Sequence, residues 1–394
     1  MKRMLFLTTE LPYPLDNGGK IRTYNMIKGL SGEYNIDVVC FSELEDNTNS
    51  IKELKEICNN VYVFKKLYTN SKSKSKLIRN VLSSTIKNIP FIVGKFSDNG
   101  YREKVEMLLG ENNYNCILVD HLQVAQFVPE KYLLQAVLSQ HNCEYLILKR
   151  MAQESSNYLK KVYVEYESRK LEKYEKKMCS QFKKVVLLSE EDKKFLIGKE
   201  YNGENSFILP ISVEMNFKKK NINSEKKNIL FLGTMSWLPN EQGVLWFLEN
   251  VWHHIKNYGY KLYIVGKNPS DSIKKFEDSN VVITGYVDDI NEYIELCDFS
   301  IVPLFIGGGM RVKILECMAK NMPIISTTIG AEGIEAVDDN NILIADTVDE
   351  FINKIKKIQD ENIYNKIRQS ATKLIEEKYS ISAVNNQLIN ILSE

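Results

Sequence analysis

Short apolar runs alternate along the chain with longer stretches that repeat apolar residues at helical spacing. Met4 to Thr8, Ile36 to Phe41, Val61 to Phe64, Ile117 to Val119, Ala136 to Ser139 and Val185 to Ser189 are continuous, rich in β-branched residues and too short for helices. Such strands are apolar on both sides and need cover on both faces, so the order strand, helix, strand predicts a doubly wound parallel α/β sheet. The pattern restarts at Ile229 to Leu232 and continues through Leu262 to Val265, Val281 to Val287, Phe299 to Val302, Ile324 to Thr327 and Ile342 to Ala345. Tyr158 to Met178 reads as a long charged helix, and Val348 to Asp360, Ile363 to Lys378 and Ser380 to Ser393 as the closing helices. Lys218 to Lys227 is polar and separates the two series. The predicted plan is a first Rossmann-like domain over 1–210, a linker over 211–227, a second such domain over 228–378 and a terminal helix over 379–394.

Chemistry concentrates where strands give way to glycine. After Phe299 to Val302, Pro303 ends the strand, and Gly307, Gly308 and Gly309 allow main-chain N–H groups to approach a ligand without an intervening Cβ. Met310 to Lys320 then reads as a helix whose free N–H groups and dipole favour an anion at the loop. Arg311 and Lys313 oppose the dipole unless a phosphate lies there, and Glu316 stands one turn on, where a carboxylate can accept from ribose hydroxyls. The alternative is that Lys313 and Glu316 form an exposed pair worth about 0.2–0.5 kcal/mol. A second strand, loop and helix unit occurs at the start, where Gly18 and Gly19 follow Met4 to Thr8. Asp120-His121 and His141-Asn142-Cys143-Glu144 follow two further strands, at the edge where doubly wound sheets place their ligands. His253 and His254 fall in a predicted helix.

Composition narrows the picture. A chain of 394 residues supports two to three domains, and a net charge of +1 provides no global field for nucleic acid. Seven cysteines without a CxxC pair or metal-ligand spacing suggest a reducing, cytoplasmic setting, and no run reaches the length of a membrane span. Residues 65–95 form a basic insertion without acidic residues, suited to peripheral contact with an anionic membrane surface.

GGGMRVKILECMA followed by PIISTTIGAEGI resembles the GGG-x-R-x-K-x-LE block of retaining nucleotide-sugar glycosyltransferases of family 4. Gly308 stands where the commoner form of that block has a glutamate. Gly233-Thr234-Met235-Ser236-Trp237-Leu238-Pro239-Asn240 resembles the family's G-x-M-x-W-x-PN loop, which here lacks the arginine and lysine of the commoner form. HNCE at His141 resembles its HN-x-E segment, and VLLSEED its VSE-x-D stretch.

The resemblance implies the GT-B fold, with two Rossmann-like domains facing each other across a cleft and the last helix returning to the first domain. It implies transfer of a sugar, with retention, from a nucleotide diphosphate donor such as a UDP-sugar to a glycan or lipid-linked acceptor, without a metal cofactor. Arg311, Lys313 and His121 would serve catalysis. Glu316, Gly307, Gly308, Gly309, Met310, Val287 and Gly233 would hold the donor, and Gly18 and Gly19 would face its pyrophosphate and the acceptor. His141, Asn142 and Glu144 would line the acceptor side. The alternatives are a nucleotide-sugar 2-epimerase of the same fold and a non-catalytic nucleotide-sugar binding protein.

Overall fold

The computed structural model describes residues 1–15, 17–43, 47–65, 89–154, 157–215, 227–306 and 310–393. Gly307, Gly308, Gly309, positions 66–88 of the basic insertion and 216–226 of the linker lie outside the described residues. The chain divides into two compact units, Met1–Pro210 with Val384–Glu394, and Ile211–Ala383.

The first unit holds a parallel sheet in the order β3-β2-β1-β4-β5-β6-β7. Its strands are β1 (Lys2–Thr8), β2 (Tyr34–Ser42), β3 (Asn60–Lys65), β4 (Cys116–Asp120), β5 (Ala136–Ser139), β6 (Lys184–Leu187) and β7 (Ser206–Ile208). Period-two alternation divides each strand between two cores. In β1, Met4 and Phe6 join Ile27, Leu30 and Leu118 on one face, while Leu5 and Leu7 join Val119, Phe127 and Leu138 on the other. The first helix, α1 (Gly18–Leu30), begins at Asn17, whose side chain accepts from the Lys20 N–H, and buries Met26, Ile27 and Leu30. A helical hairpin of α2 (Glu144–Glu154) and α3 (Tyr158–Gln181) follows β5.

The second unit repeats the plan in the order β10-β9-β8-β11-β12-β13. Its strands are β8 (Asn228–Leu232), β9 (Lys261–Val265), β10 (Val281–Gly285), β11 (Phe299–Val302), β12 (Ile324–Ser326) and β13 (Leu343–Ile344). Ile229 and Phe231 face one core, Leu230 and Leu232 the other. Its ligand-edge helices are α4 (Leu238–Trp246) and α5 (Val312–Ala319). A π-helical turn over Phe247–Trp252 continues α4 towards His253 and His254, which are exposed.

The last helix, α6 (Ile381–Ser393), belongs to the first unit from Val384 onward. It buries Val384, Leu388 and Ile391 against the core that contains Met4 and Phe6. Gln387 secures it by donating to the Ile208 carbonyl at 2.7 Å. All seven cysteines are buried and free.

In each sheet the strand order reverses once, between β1 and β4 and between β8 and β11. Ligands of open α/β sheets bind beyond the carboxyl ends of the strands at such a reversal. Thr8 and Asp120 end the strands at the first reversal, Leu232 and Val302 those at the second.

Candidate functional site

At the second reversal, the loop after β8 is held closely by glycine. A Cβ on Gly233 would fall 2.6 Å from the Asn240 side-chain nitrogen, which donates to the Thr234 carbonyl at 3.0 Å. Gly266 adopts a φ of +150°, and a Cβ there would fall 1.9 Å from the Gly233 carbonyl oxygen. Only glycine fits at either position without displacing its neighbour.

Arg311 is the N-cap residue of α5, and Lys313 lies in that helix's first turn. Arg311 is buried, and its guanidinium carbon stands 5.4 Å from the centre of the Trp237 ring in the loop after β8. Lys313 reaches the same loop. Its ammonium donates to the Leu232 carbonyl at 2.9 Å and to the Asn240 side-chain oxygen at 2.8 Å. Burial, reinforced by the nearby Arg311 charge, pushes Lys313 down to about 7. The exposed Lys313–Glu316 pair foreseen as an alternative is therefore replaced by a part-buried tie to the end of β8. The Glu316 carboxylate makes no hydrogen bond among the described residues, and burial raises it against the opposing pull of Lys320. Met310 packs partly buried against the core below α5, and its backbone lies 3.3–3.4 Å from where a Cβ on Gly333 would stand. Val287 is partly buried just beyond β10, next to the exposed Tyr286.

The first reversal carries a different constellation. Asp120, wholly buried at the end of β4, accepts from Thr23 of α1 at 2.6 Å and from the His141 ring Nε2 at 2.8 Å. Its second oxygen also lies 3.4 Å from His121 Nδ1, and that nitrogen is 2.7 Å from the Asp120 main-chain oxygen. The two imidazoles stack with centroids 3.7 Å apart and planes 24° from parallel. Holding His121 there requires a φ of +92°, a backbone state that costs a non-glycine residue on the order of 1–3 kcal/mol.

Asp120 remains ionised well below the ordinary carboxylate range: burial opposes this, but the two histidines outweigh it. Burial also works against a charged His121, yet Asp120 raises it, whereas burial and the neighbouring His121 bring His141 down to about 4. The ligand atoms of Asp120, His121 and His141 lie within 4.8 Å of one another, a grouping compatible with a metal as well as with the hydrogen bonds present.

Gly18 opens α1, and a Cβ on Gly19 would stand 4.0 Å from His141 Nδ1 and 3.4 Å from a Glu10 carboxylate oxygen. Glu144 begins α2, its carboxyl raised by burial against the pull of His121 and a hydrogen bond from Gln123. Asn142 is exposed between the two. Glu175 of α3 caps this segment by accepting from the Glu144 and Tyr145 N–H groups at 3.0 and 2.9 Å, and burial lifts it to about 8.

His121, His141, Gly18 and Gly19 are thus gathered at one sheet edge, and Arg311, Lys313 and Gly233 at the other. Sequence reading named Asn240 only as the end of the G-x-M-x-W-x-PN loop, without a role, and missed Thr23, Glu175 and the buried Arg22, whose guanidinium donates to the Leu209 carbonyl at 3.4 Å. Polar residues on amphipathic helices read as solvent-facing, and only the strand-end position of Asp120 carried a signal.

Residues 226–361 match the family described as glycosyl transferases group 1. An uncharacterized 44.6 kDa protein in the cps region of Klebsiella pneumoniae is 27% identical over 362 residues, covering 88% of each chain. Sucrose-phosphate synthase from Thermosynechococcus elongatus superposes with a TM-score of 0.66 at 11% identity, covering 100% of this chain and 98% of that one. TarM gives 0.66 at 14% identity, covering 100% and 99%. HepE from Anabaena, solved with UDP-glucose, gives 0.64 at 13% identity, covering 100% of both chains.

The chain has the GT-B fold. The family match lies wholly within residues 226–361, in the second unit. No helix among the described residues is long and apolar enough to cross a membrane.

Proposed function

We propose that the protein is a retaining glycosyltransferase of family 4. It moves a hexose or related sugar from a UDP-linked donor to a glycan or lipid-linked acceptor in the synthesis of a cell-surface polysaccharide or glycoconjugate. The observation that carries this reading is the convergence of Arg311 and Lys313 on the loop after β8. The relative described as a protein in a cps region supports the pathway.

In this reading the nucleotide lies along the carboxyl edge of the second sheet. Glu316 accepts from the ribose hydroxyls, and main-chain groups near Val287 and Met310 flank the nucleoside. Arg311 and Lys313 stabilise the negative charge that grows on the leaving diphosphate as the glycosidic bond breaks. The donor's own phosphate takes the proton of the attacking acceptor hydroxyl, so no protein nucleophile and no divalent ion is required. Gly18, Gly19, His121, His141, Asn142 and Glu144 form the sugar and acceptor side.

Incubation with a panel of nucleotide sugars, with and without glycan and lipid-linked acceptors, tests the proposal. Acceptor-dependent nucleotide release with retention at the anomeric carbon is expected. Conversion of the nucleotide sugar without an acceptor would make the protein an epimerase, and binding without turnover a sensor or scaffold. Residues 65–95 are proposed to bring the enzyme to an anionic membrane surface, and sedimentation with anionic vesicles at low salt but not high salt checks this.

A further inference from the structure

We propose that Asp120 is a positioning residue that holds the two stacked imidazoles in opposite tautomers, so that His121 Nε2 and His141 Nδ1 are the atoms offered to hydroxyl groups of the sugar substrates. This deepens the reading of the first-unit site as a sugar site and rests on it.

His141 Nε2 lies 2.8 Å from Asp120 Oδ1, and an ionised carboxylate only accepts, so the proton of neutral His141 sits on Nε2. His121 Nδ1 lies 2.7 Å from the Asp120 main-chain carbonyl and 3.4 Å from its Oδ2, again acceptors only, so that nitrogen carries the proton of His121. The free nitrogens are therefore different ones on the two rings. Gly19 lies on the free side of His141, where its missing Cβ leaves room beside Nδ1. Thr23 and Thr8 hold the carboxylate from the other side at 2.6 and 3.5 Å, joining α1 and β1 to the same anchor.

The other charged groups facing the pair are Arg22 of α1, on the His141 side, and Glu144 of α2, on the His121 side. Two charged rings at a centroid distance of 3.7 Å would repel, so at most one is protonated near neutral pH. The raised value of His121 and the depressed value of His141 agree with that division.

The test is nitrogen NMR of the full chain with 15N-labelled histidine. Only four histidines contribute, and His121→Gln and His141→Gln assign the pair. Expected in the wild type at alkaline pH are one fixed Nδ1–H ring and one fixed Nε2–H ring, unchanged by dialysis against a chelator. Asp120→Ala removes the carboxylate that holds His141 Nε2–H but keeps the main-chain carbonyl that holds His121 Nδ1–H, so His141 should lose its fixed tautomer while His121 keeps its own. Turnover of whichever nucleotide sugar the wild type uses should fall by about tenfold or more, with a shifted pH profile.

Free-histidine tautomer averaging in the wild type, or fixed tautomers that vanish with the chelator, would overturn the proposal even if Asp120→Ala fails to fold. A still-fixed Nε2–H on His141 in a folded Asp120→Ala would do the same. Failure to turn over any nucleotide sugar refutes the proposed enzyme and leaves the tautomer readout intact.

Discussion

Lys313 donates to the side-chain oxygen of Asn240 at 2.8 Å, linking the first turn of α5 to the helix that follows β8. The loop after β8 has no cation of its own, and this contact brings one to it from 73 residues further along the chain.

A pH dependence follows from the burial that pushes Lys313 down to about 7 from its ordinary 10.5. An amine with a lowered folded value destabilises the folded state below that value, and the loss is recovered as pH rises from about 7 towards 10.5. The thermal midpoint of the wild type should therefore gain on that of Lys313→Met across this interval. A bound diphosphate would raise the amine again, so UDP should bind with proton uptake above pH 7 and more weakly as pH increases. Calorimetry in two buffers of different ionisation enthalpy measures the uptake, which Lys313→Met should abolish.

Gly233→Ala should displace Asn240, because the new Cβ would fall 2.6 Å from its side-chain nitrogen. Overpacking of this kind costs about 1–3 kcal/mol, and the displaced amide would release Lys313. A lowered thermal midpoint together with weaker UDP binding is expected. Unaltered binding in the variant would separate the glycine from the nucleotide site.

Arg311→Ala should lower turnover by roughly two to three orders of magnitude and donor affinity much less, as for loss of a group that meets charge developing in the transition state. Arg311→Lys should not restore the rate, because a point charge cannot reproduce the planar fork of a guanidinium held 5.4 Å from the Trp237 ring centre. The same reading expects full activity in the presence of a chelator. Loss of activity that manganese or magnesium restores would falsify the metal-free account.

Glu316→Ala should weaken nucleotide binding by roughly tenfold to a hundredfold, the worth of a hydrogen bond to a charged group. Stability should change little, since the carboxylate holds nothing among the described residues. Binding of the nucleotide against binding of its 2′,3′-dideoxy analogue checks the assignment: the variant should lose the preference for ribose.

The amino-acid sequence by itself determined the two parallel sheets. Runs such as Met4 to Leu7 and Ile229 to Leu232 are apolar on both alternating faces, and that pattern has few solutions other than a sheet covered on both sides. It also located Gly18, Gly19, Gly233, Asp120 and Arg311, because strand ends followed by glycine or charge are local features.

Tertiary structure alone decided the partners. That Lys313 turns to Leu232 and Asn240 rather than to Glu316 depends on β11 lying beside β8, a pairing no local pattern encodes. That Asp120 gathers Thr23, His121 and His141 depends on α1, β4 and β5 meeting at one sheet edge. Burial set the proton affinities in the same way, since Lys313 and His141 depart from ordinary values only where the folded chain removes water from them.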